Sequence, residues 1–274
     1  MKYRHAYHAG NFADVHKHVT LMTLLEAMQR KDKGFLFVDT HAGSGFYELH
    51  GSQVAYTRVA DHDFRAEELQ RYNARIAAYR DRLQNRAAYP GSPVIAAEML
   101  RSQDRGIFVD QIASEARALE RALPPYSRAR VETGDGFATL RASLPPVERR
   151  GLVHIDPPYE ETQQDFGRVG MAINDTLKRF QSAVIAAWYP IKDARDTATW
   201  HASLAKGIPN ETLIAELWLF PCDSRVALNG SGILIVNPPY QLEERMRVWL
   251  PELQARLDSE NSGGWRIRTL SQPV

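Results

Sequence analysis

Four consecutive residues, Asp156-Pro157-Pro158-Tyr159, bring together a carboxylate, two rigid imino acids and an aromatic ring. That set suits the activation of an exocyclic amine. The amine of adenine is a poor nucleophile because its lone pair is delocalised into the ring. A carboxylate at Asp156 and the backbone carbonyl of Pro157, held at fixed angles, can accept its two N–H bonds and favour a pyramidal nitrogen. Two prolines remove competing N–H donors and stiffen the turn, so the acceptors stay aimed. Tyr159 offers a ring on which an extruded base can stack. The plain alternative is a rigid turn that ends a strand.

Asn237-Pro238-Pro239-Tyr240 repeats the pattern, and the elements around the two copies separate them. Seven short apolar runs read as strands: Gly34–Thr40, Gly106–Ile112, Arg130–Gly134, Gly151–Asp156, Ser182–Tyr189, Thr212–Phe220 and Gly232–Asn237. Most are continuously apolar, as expected of parallel strands covered on both faces. Helical patterns lie between most of them, including Asp14–Arg30, Ser114–Leu123, Gly136–Leu144 and Val169–Gln181. The Asp14–Arg30 pattern places Val15, Val19, Met22, Leu25 and Met28 on one face. The alternation predicts an open, doubly wound α/β sheet. Only Pro221–Ser231 separates the last two strands, too little for a parallel crossover, so they should form an antiparallel hairpin. This arrangement, six strands of one sense with a seventh inserted antiparallel, resembles the sheet of class I methyltransferases. Ligands of such sheets bind at the carboxyl ends of the parallel strands. Asp156 follows a parallel strand and falls on that edge. Asn237 follows the reversed strand, falls on the other edge, and is read as structural.

Each parallel strand that precedes Asp156 ends in residues suited to a nucleotide-type ligand. Asp39-Thr-His-Ala-Gly-Ser-Gly45 follows the first, and its glycines let backbone pass close to a ligand. It is not the Gly-x-Gly-x-x-Gly dinucleotide pattern, which weakens a nicotinamide oxidoreductase reading. Asp110 ends the second strand, where an acid accepts from ribose hydroxyls or is simply solvated. Gly134-Asp135-Gly136 ends the third: Asp135 suits an adenine amino group and Gly136 leaves room for the ring, although Asp-Gly is also a common turn.

Composition bounds the rest. The chain has 274 residues and a formal charge of +1, so it does not bind nucleic acid by overall charge. A local patch exists: Lys2, Arg4, His5, His8, His16, Lys17 and His18 stand against the single acid Asp14, with Tyr3, Tyr7 and Phe12 among them. Such a mixture is either a solvated terminus or a surface that holds phosphates and stacks on unpaired bases. The stretch 51–89 reads as a helical insertion, with Ala66–Arg80 its clearest helix and seven arginines between Arg58 and Arg86. It is either a solvated face or a grip on RNA phosphates. The expected organisation is a methyltransferase domain over 1–50 and 90–274 with 51–89 inserted. The one cysteine, Cys222, excludes an internal disulfide and reads as a loop residue. No metal site, membrane span or signal peptide is expected, and a cytoplasmic location is.

The string Tyr3-Arg-His-Ala-Tyr-His-Ala-Gly-Asn-Phe-Ala-Asp-Val-His-Lys17-His18 resembles the opening of the 23S ribosomal RNA adenine-N6 methyltransferase family called RlmJ. Similar matches include Tyr89-Pro-Gly-Ser-Pro93, Ile155-Asp-Pro-Pro-Tyr-Glu160, Ala187-Trp-Tyr-Pro190 and Ser231-Gly-Ile233, and they run over nearly the whole chain. The resemblance implies a Rossmann-like domain with an inserted helical subdomain. It implies methyl transfer from S-adenosylmethionine to N6 of one adenine in large-subunit rRNA. Carried over residue by residue, His18, His41, Ser92, Asp110, Asp135 and Gly136 contact the cofactor, and Asp156 is the catalytic acceptor. Tyr3, His5 and Lys17 position the target adenosine or its phosphates. The family commonly has Glu where this chain has Asp110. The expected partner is 23S rRNA, free of protein or early in assembly, met by a monomer. Transfer to guanine N2 or to adenine N6 of DNA is the nearest alternative, and a non-catalytic RNA-binding module a more distant one.

Overall fold

The computed structural model describes residues 9–49, 54–125, 127–221 and 228–270. Its first helix, α1 (Phe12–Gln29), starts at Asn11, whose side chain accepts from the Asp14 N–H at 3.0 Å. The expected single apolar face is not what forms. Nearly every residue from Phe12 to Leu25 is buried, polar ones included, because α1 is enclosed by other elements on all sides.

The chain continues through β1 (Leu36–Asp39), β2 (Phe46–Glu48), α2 (Val54–Val59), α3 (Glu67–Leu83), β3 (Ala88–Pro90), α4 (Ser92–Met99), β4 (Arg105–Asp110) and α5 (Ala113–Ala122). Then come β5 (Ala129–Thr133), α6 (Gly136–Ala142), β6 (Gly151–Ile155), α7 (Thr162–Arg179), β7 (Val184–Ile191), α8 (Ala194–Gly207), β8 (Thr212–Trp218), β9 (Gly230–Val236), α9 (Leu242–Leu257) and β10 (Gly264–Thr269). The main sheet has the order β10-β8-β9-β7-β6-β1-β4-β5. Strands β5, β4, β1, β6 and β7 are parallel, and β9 runs antiparallel between β7 and β8. The strand order reverses at β1 and β6, whose carboxyl ends open the crevice that doubly wound sheets use for ligands.

All seven expected strands are present, and the sheet gains an eighth. Strand β10 pairs antiparallel with β8 at the sheet edge. Its sequence, Gly-Trp-Arg-Ile-Arg-Thr, alternates and buries only Ile267, so a search for continuous apolar runs passes over it. Arg266 pairs with the buried Glu216 of β8, which also accepts from the Tyr189 hydroxyl at 2.8 Å.

Side chains alternate across the central strands, and both faces are covered. Phe37, Phe108, Leu152, Ala186 and Ile235 face the layer containing α1, α3, α4 and α9. Val38, Ile107, Val153, Ile185 and Leu234 face α6, α7 and α8. Residues 54–87 lie between the paired strands β2 and β3, and α3 buries Leu69, Tyr72, Ile76 and Tyr79 at helical spacing against the α1 layer. Several arginines of this stretch are engaged by neighbouring acids and carbonyls at partly exposed positions. Arg71 pairs with Glu26 and Glu67, Arg75 and Arg82 with Glu98, and Arg58 donates to the Leu257 carbonyl.

Leu234→Ala empties a fully buried position in the reversed strand. It should cost about 2–5 kcal/mol of unfolding free energy, read by urea denaturation. Two buried histidines give a second test. Burial, aided by Lys17 for His16 and by Arg268 and Arg266 for His201, lowers each pKa from 6.5 to about 3. Between those values the unfolded chain binds more protons than the native one, so acid destabilises the fold. Each ring adds up to about 1.4 kcal/mol per pH unit. Unfolding free energy should therefore fall from pH 7 to about pH 5, and a flat profile there would contradict two neutral native rings.

Candidate active site

The loop after β1 is shaped by two glycines in the left-handed region, Gly43 (φ +66°) and Gly45 (φ +78°). Asp110, at the end of β4, holds this loop: one carboxylate oxygen accepts from the Gly43 N–H at 2.9 Å and the other from the Ile112 N–H at 2.7 Å. Asp39, fully buried at the end of β1, accepts from the Ser92 hydroxyl at 2.7 Å and from the His41 N–H at 3.3 Å. His154 Nδ1 is 3.4 Å away, an ion-pair distance but off the line of a hydrogen bond. Burial works against the Asp39 charge, yet His154 and the donated bonds outweigh it and hold the pKa below the ordinary value. His41 shares a 2.8 Å hydrogen bond with the Thr40 hydroxyl and meets Phe137 edge-on at 5.1 Å. Burial lowers its pKa against the pull of Asp156, Asp39 and Asp110.

Asp135 caps α6, its Oδ1 accepting from the Phe137 and Ala138 N–H groups at 2.8 and 3.2 Å. Gly136 serves a different purpose from the one expected. A Cβ there would lie 1.9 Å from the Thr40 carbonyl oxygen, so the missing side chain lets α6 approach β1 rather than making room for a ligand ring.

Residues that follow β1, β4, β5 and β6 converge on one cavity of about 420 Å³, lined by His41, Gln111, Asp135, Phe137 and Pro157, with Met171 of α7 on its rim. A cavity built from these four strand ends fits a nucleoside-bearing ligand, with the Asp135 carboxylate available to an adenine amine. His41 and Asp135 line it directly. Asp110 and Gly136 adjoin it through their neighbours Gln111 and Phe137. His18 and Ser92 lie outside its lining. His18 is buried, stacks on Tyr89 at 5.5 Å, and shares a 3.0 Å hydrogen bond with its hydroxyl.

At the end of β6, Asp156 Oδ2 lies 2.7 Å from Lys17 Nζ, which is also 2.9 Å from Asp14 Oδ1. The ammonium sits 4.6 Å from the centre of the Trp188 ring. Among the described residues, Asp156 Oδ1 accepts no hydrogen bond. Tyr159 departs from expectation. Its φ of +50° turns the side chain back into the protein, where the ring is 2 % exposed and packs edge-on against Phe166 and Trp188. It presents no face to a base. Its hydroxyl, kept protonated by burial, donates to the Trp188 carbonyl at 2.6 Å. Lys192 donates to the Tyr159 carbonyl at 3.2 Å and to the Thr162 hydroxyl at 3.0 Å.

Sequence reasoning gave no role to Trp188, Lys192 or Gln111. The available signal for Trp188 was an aromatic near the carboxyl end of a parallel strand, in Ala187-Trp-Tyr-Pro190. Its indole N–H donates to the Ser231 hydroxyl at 2.9 Å, and that hydroxyl lies 3.0 Å from His16 Nδ1. Because the indole can only donate, Ser231 is the acceptor. At the opposite edge, the Asn237 amide donates to the Gln181 and Ala183 carbonyls, each at 2.8 Å, and accepts from Asn210 at 2.9 Å. This second turn closes the far end of the sheet. Tyr3, His5 and Cys222 lie outside the described residues.

A doubly wound sheet with a reversed strand inserted between β7 and β8, a glycine loop after its first strand, and an Asp-Pro-Pro-Tyr turn on the same edge define a class I S-adenosylmethionine-dependent methyltransferase. The family model described as "Ribosomal RNA large subunit methyltransferase D, RlmJ" matches residues 32–270. Ribosomal RNA large subunit methyltransferase J of Haemophilus influenzae is 37% identical over 280 residues, covering 99% of each chain. Its Escherichia coli K12 counterpart is 38% identical over 272 residues, covering 96% of each. A crystal structure of a Legionella pneumophila protein superposes with a TM-score of 0.87 at 31% identity, covering 96% of this chain and 98% of the other. The chain belongs to the RlmJ family of ribosomal RNA large subunit methyltransferases.

Gly136→Ala should displace the start of α6, at a cost of about 1–3 kcal/mol, and lower the melting temperature. It should also raise the cofactor Kd roughly ten-fold or more by calorimetry. Gly134→Ala is the control: nothing lies within 4 Å of a Cβ there, and both readings should hardly move.

Proposed function

We propose that this chain transfers a methyl group from S-adenosylmethionine to the N6 amine of one adenine in 23S rRNA, with Asp156 and the Pro157 carbonyl as the acceptors that hold the amine. Family membership supports the reaction and the rRNA substrate. The observation that carries the residue assignment is positional. Asp156 ends β6, beside β1 at the crevice, and Pro157 lines the cavity built from the strand ends.

The cofactor, when bound, supplies a methyl group already activated by the positive charge on sulfur. The protein therefore has mainly to position the amine and exclude competing acceptors. Asp156 Oδ1 takes one N–H and the Pro157 carbonyl the other, which localises the lone pair toward the methyl carbon. Lys17 fixes the orientation of the carboxylate through Oδ2. Tyr159 and Lys192 brace the turn from behind, and the left-handed φ at Tyr159 is sustained by these two bonds. Asp135, His41 and the Gly43–Gly45 loop held by Asp110 hold the cofactor, with His18 and Ser92 supporting it from the layer behind. Tyr3 and His5 stay assigned to the target adenosine on the strength of the family resemblance.

The base must leave its stack to reach Asp156, at a cost of a few kcal/mol that is least where it is unpaired. This favours rRNA that is free of protein or early in assembly; a single chain acting in the cytoplasm is the accompanying expectation.

The test is transfer of labelled methyl from S-adenosylmethionine to protein-free 23S rRNA, followed by nucleoside analysis. Label should appear as N6-methyladenosine. Asp156→Ala should abolish it while the cofactor Kd stays within about two-fold of wild type, as expected for a group that acts only on the reacting amine. Label in N2-methylguanosine would overturn the substrate reading, and wild-type transfer by the variant would overturn the role of Asp156.

A further inference from the structure

Asp14 is the single acid among the cations of the first 18 residues, and it is 1 % exposed. A carboxylate is almost never buried so fully without partners. Its two oxygens have separate ones. Oδ2 accepts from the Gly10 N–H at 2.9 Å, where a positive φ of +76° turns the chain into α1. Oδ1 faces the Lys17 ammonium at 2.9 Å, and that ammonium faces Asp156 Oδ2 at 2.7 Å. An ion pair one helical turn apart would be complete with Asp14 and Lys17 alone. The third member is the residue that receives the amine.

The charges explain why three groups serve better than two. Lys17 paired with Asp156 alone would form a neutral couple, and the ammonium would draw on the carboxylate's capacity to accept from a substrate. With Asp14 taking part of the ammonium's field, the three groups together carry one negative charge. The reaction places positive charge beside them. N6 gains a bond to the methyl carbon, the carbon–sulfur bond breaks with its electrons left on sulfur, and N6 is cationic until it loses a proton to bulk water. A fixed negative charge close to that nitrogen, in a site of low dielectric, favours the charge as it develops.

We propose that Asp14 is a positioning residue for methyl transfer. By sharing the Lys17 ammonium it leaves Asp156 able to accept from the amine and keeps a net negative charge beside N6. Through Gly10 it fixes the start of α1 to the same pair. The proposal rests on the reading of Asp156 as the amine acceptor.

The experiment is single-turnover methyl transfer by the full chain to protein-free 23S rRNA, with the cofactor Kd measured by calorimetry and folding checked by circular dichroism. Asp14→Asn keeps the shape and the bond to Gly10 but removes the charge. It should slow transfer roughly ten- to a hundred-fold while the cofactor Kd moves less than about two-fold. Asp14→Glu restores the charge and should recover most of the rate. In a Lys17→Met background, adding Asp14→Asn should cause no further loss, because no ammonium remains to be shared. Wild-type transfer by Asp14→Asn overturns the proposal, and so does an equal loss in both backgrounds, the signature of an independent structural role. Should Asp14→Asn fail to fold, folded Asp14→Glu decides: near-normal transfer supports charge sharing, and a ten-fold loss with intact cofactor binding overturns it. Asp156→Ala, run in parallel, separates the two readings: wild-type transfer by that variant removes the acceptor role itself, whatever the Asp14 variants do.

Discussion

The Lys17 ammonium stands between Asp14 on its own helix and Asp156 at the end of β6, and this contact ties the first helix to the carboxyl edge of the parallel strands. A buried ion set costs several kcal/mol to desolvate, so it is weak evidence of stability by itself. Its value here is geometric. Helix α1 can be enclosed on every side only if its polar residues find partners inside, and Asp14, His16, Lys17 and His18 each do so on the side toward the crevice or its supports. The fold thus presents a charged cluster to the site by burying a helix that the sequence marks as amphipathic.

A second constraint lies in the turn itself. Tyr159 is held with a left-handed φ, a conformation that a bulky residue adopts only when its surroundings impose it. Its ring fills a slot between Phe166 and Trp188, its hydroxyl reaches the Trp188 carbonyl, and Lys192 grips its own carbonyl. The aromatic of the motif works as an anchor. Rigidity of the Asp156–Pro157 turn comes from this anchor as much as from the two prolines.

The central sheet was legible because parallel strands buried on both faces write themselves as continuous apolar runs, and the shortness of the 221–231 linker was enough to reverse β9. Strand β10 was not legible, since an edge strand with one buried residue carries too little pattern. Asp110, Asp135 and Asp156 lie at the carboxyl ends of successive parallel strands, a placement that their order along the chain already implies. The reason for a glycine at 136 is not legible locally, because the carbonyl it avoids belongs to Thr40, nearly a hundred residues earlier. Tyr159 was misjudged for a similar cause: a backbone dihedral decides where its ring goes, and no residue type announces it. Trp188 and Lys192 act through contacts between β7 and the turn after β6, which are not visible until the strands are laid side by side.

The reversed strand gives the catalytic edge its beginning rather than its end. Ser231, opposite Pro190 in the β7–β9 ladder, reaches the Trp188 indole from there. Strand register therefore becomes a determinant of active-site precision. A gain or loss that shifts β9 by one residue would turn Ser231 to the other face of the sheet and release the indole beside Lys17. Slippage in this ladder is thus felt at a distance, with the length of the hairpin as the silent coordinate that sets where the indole stands.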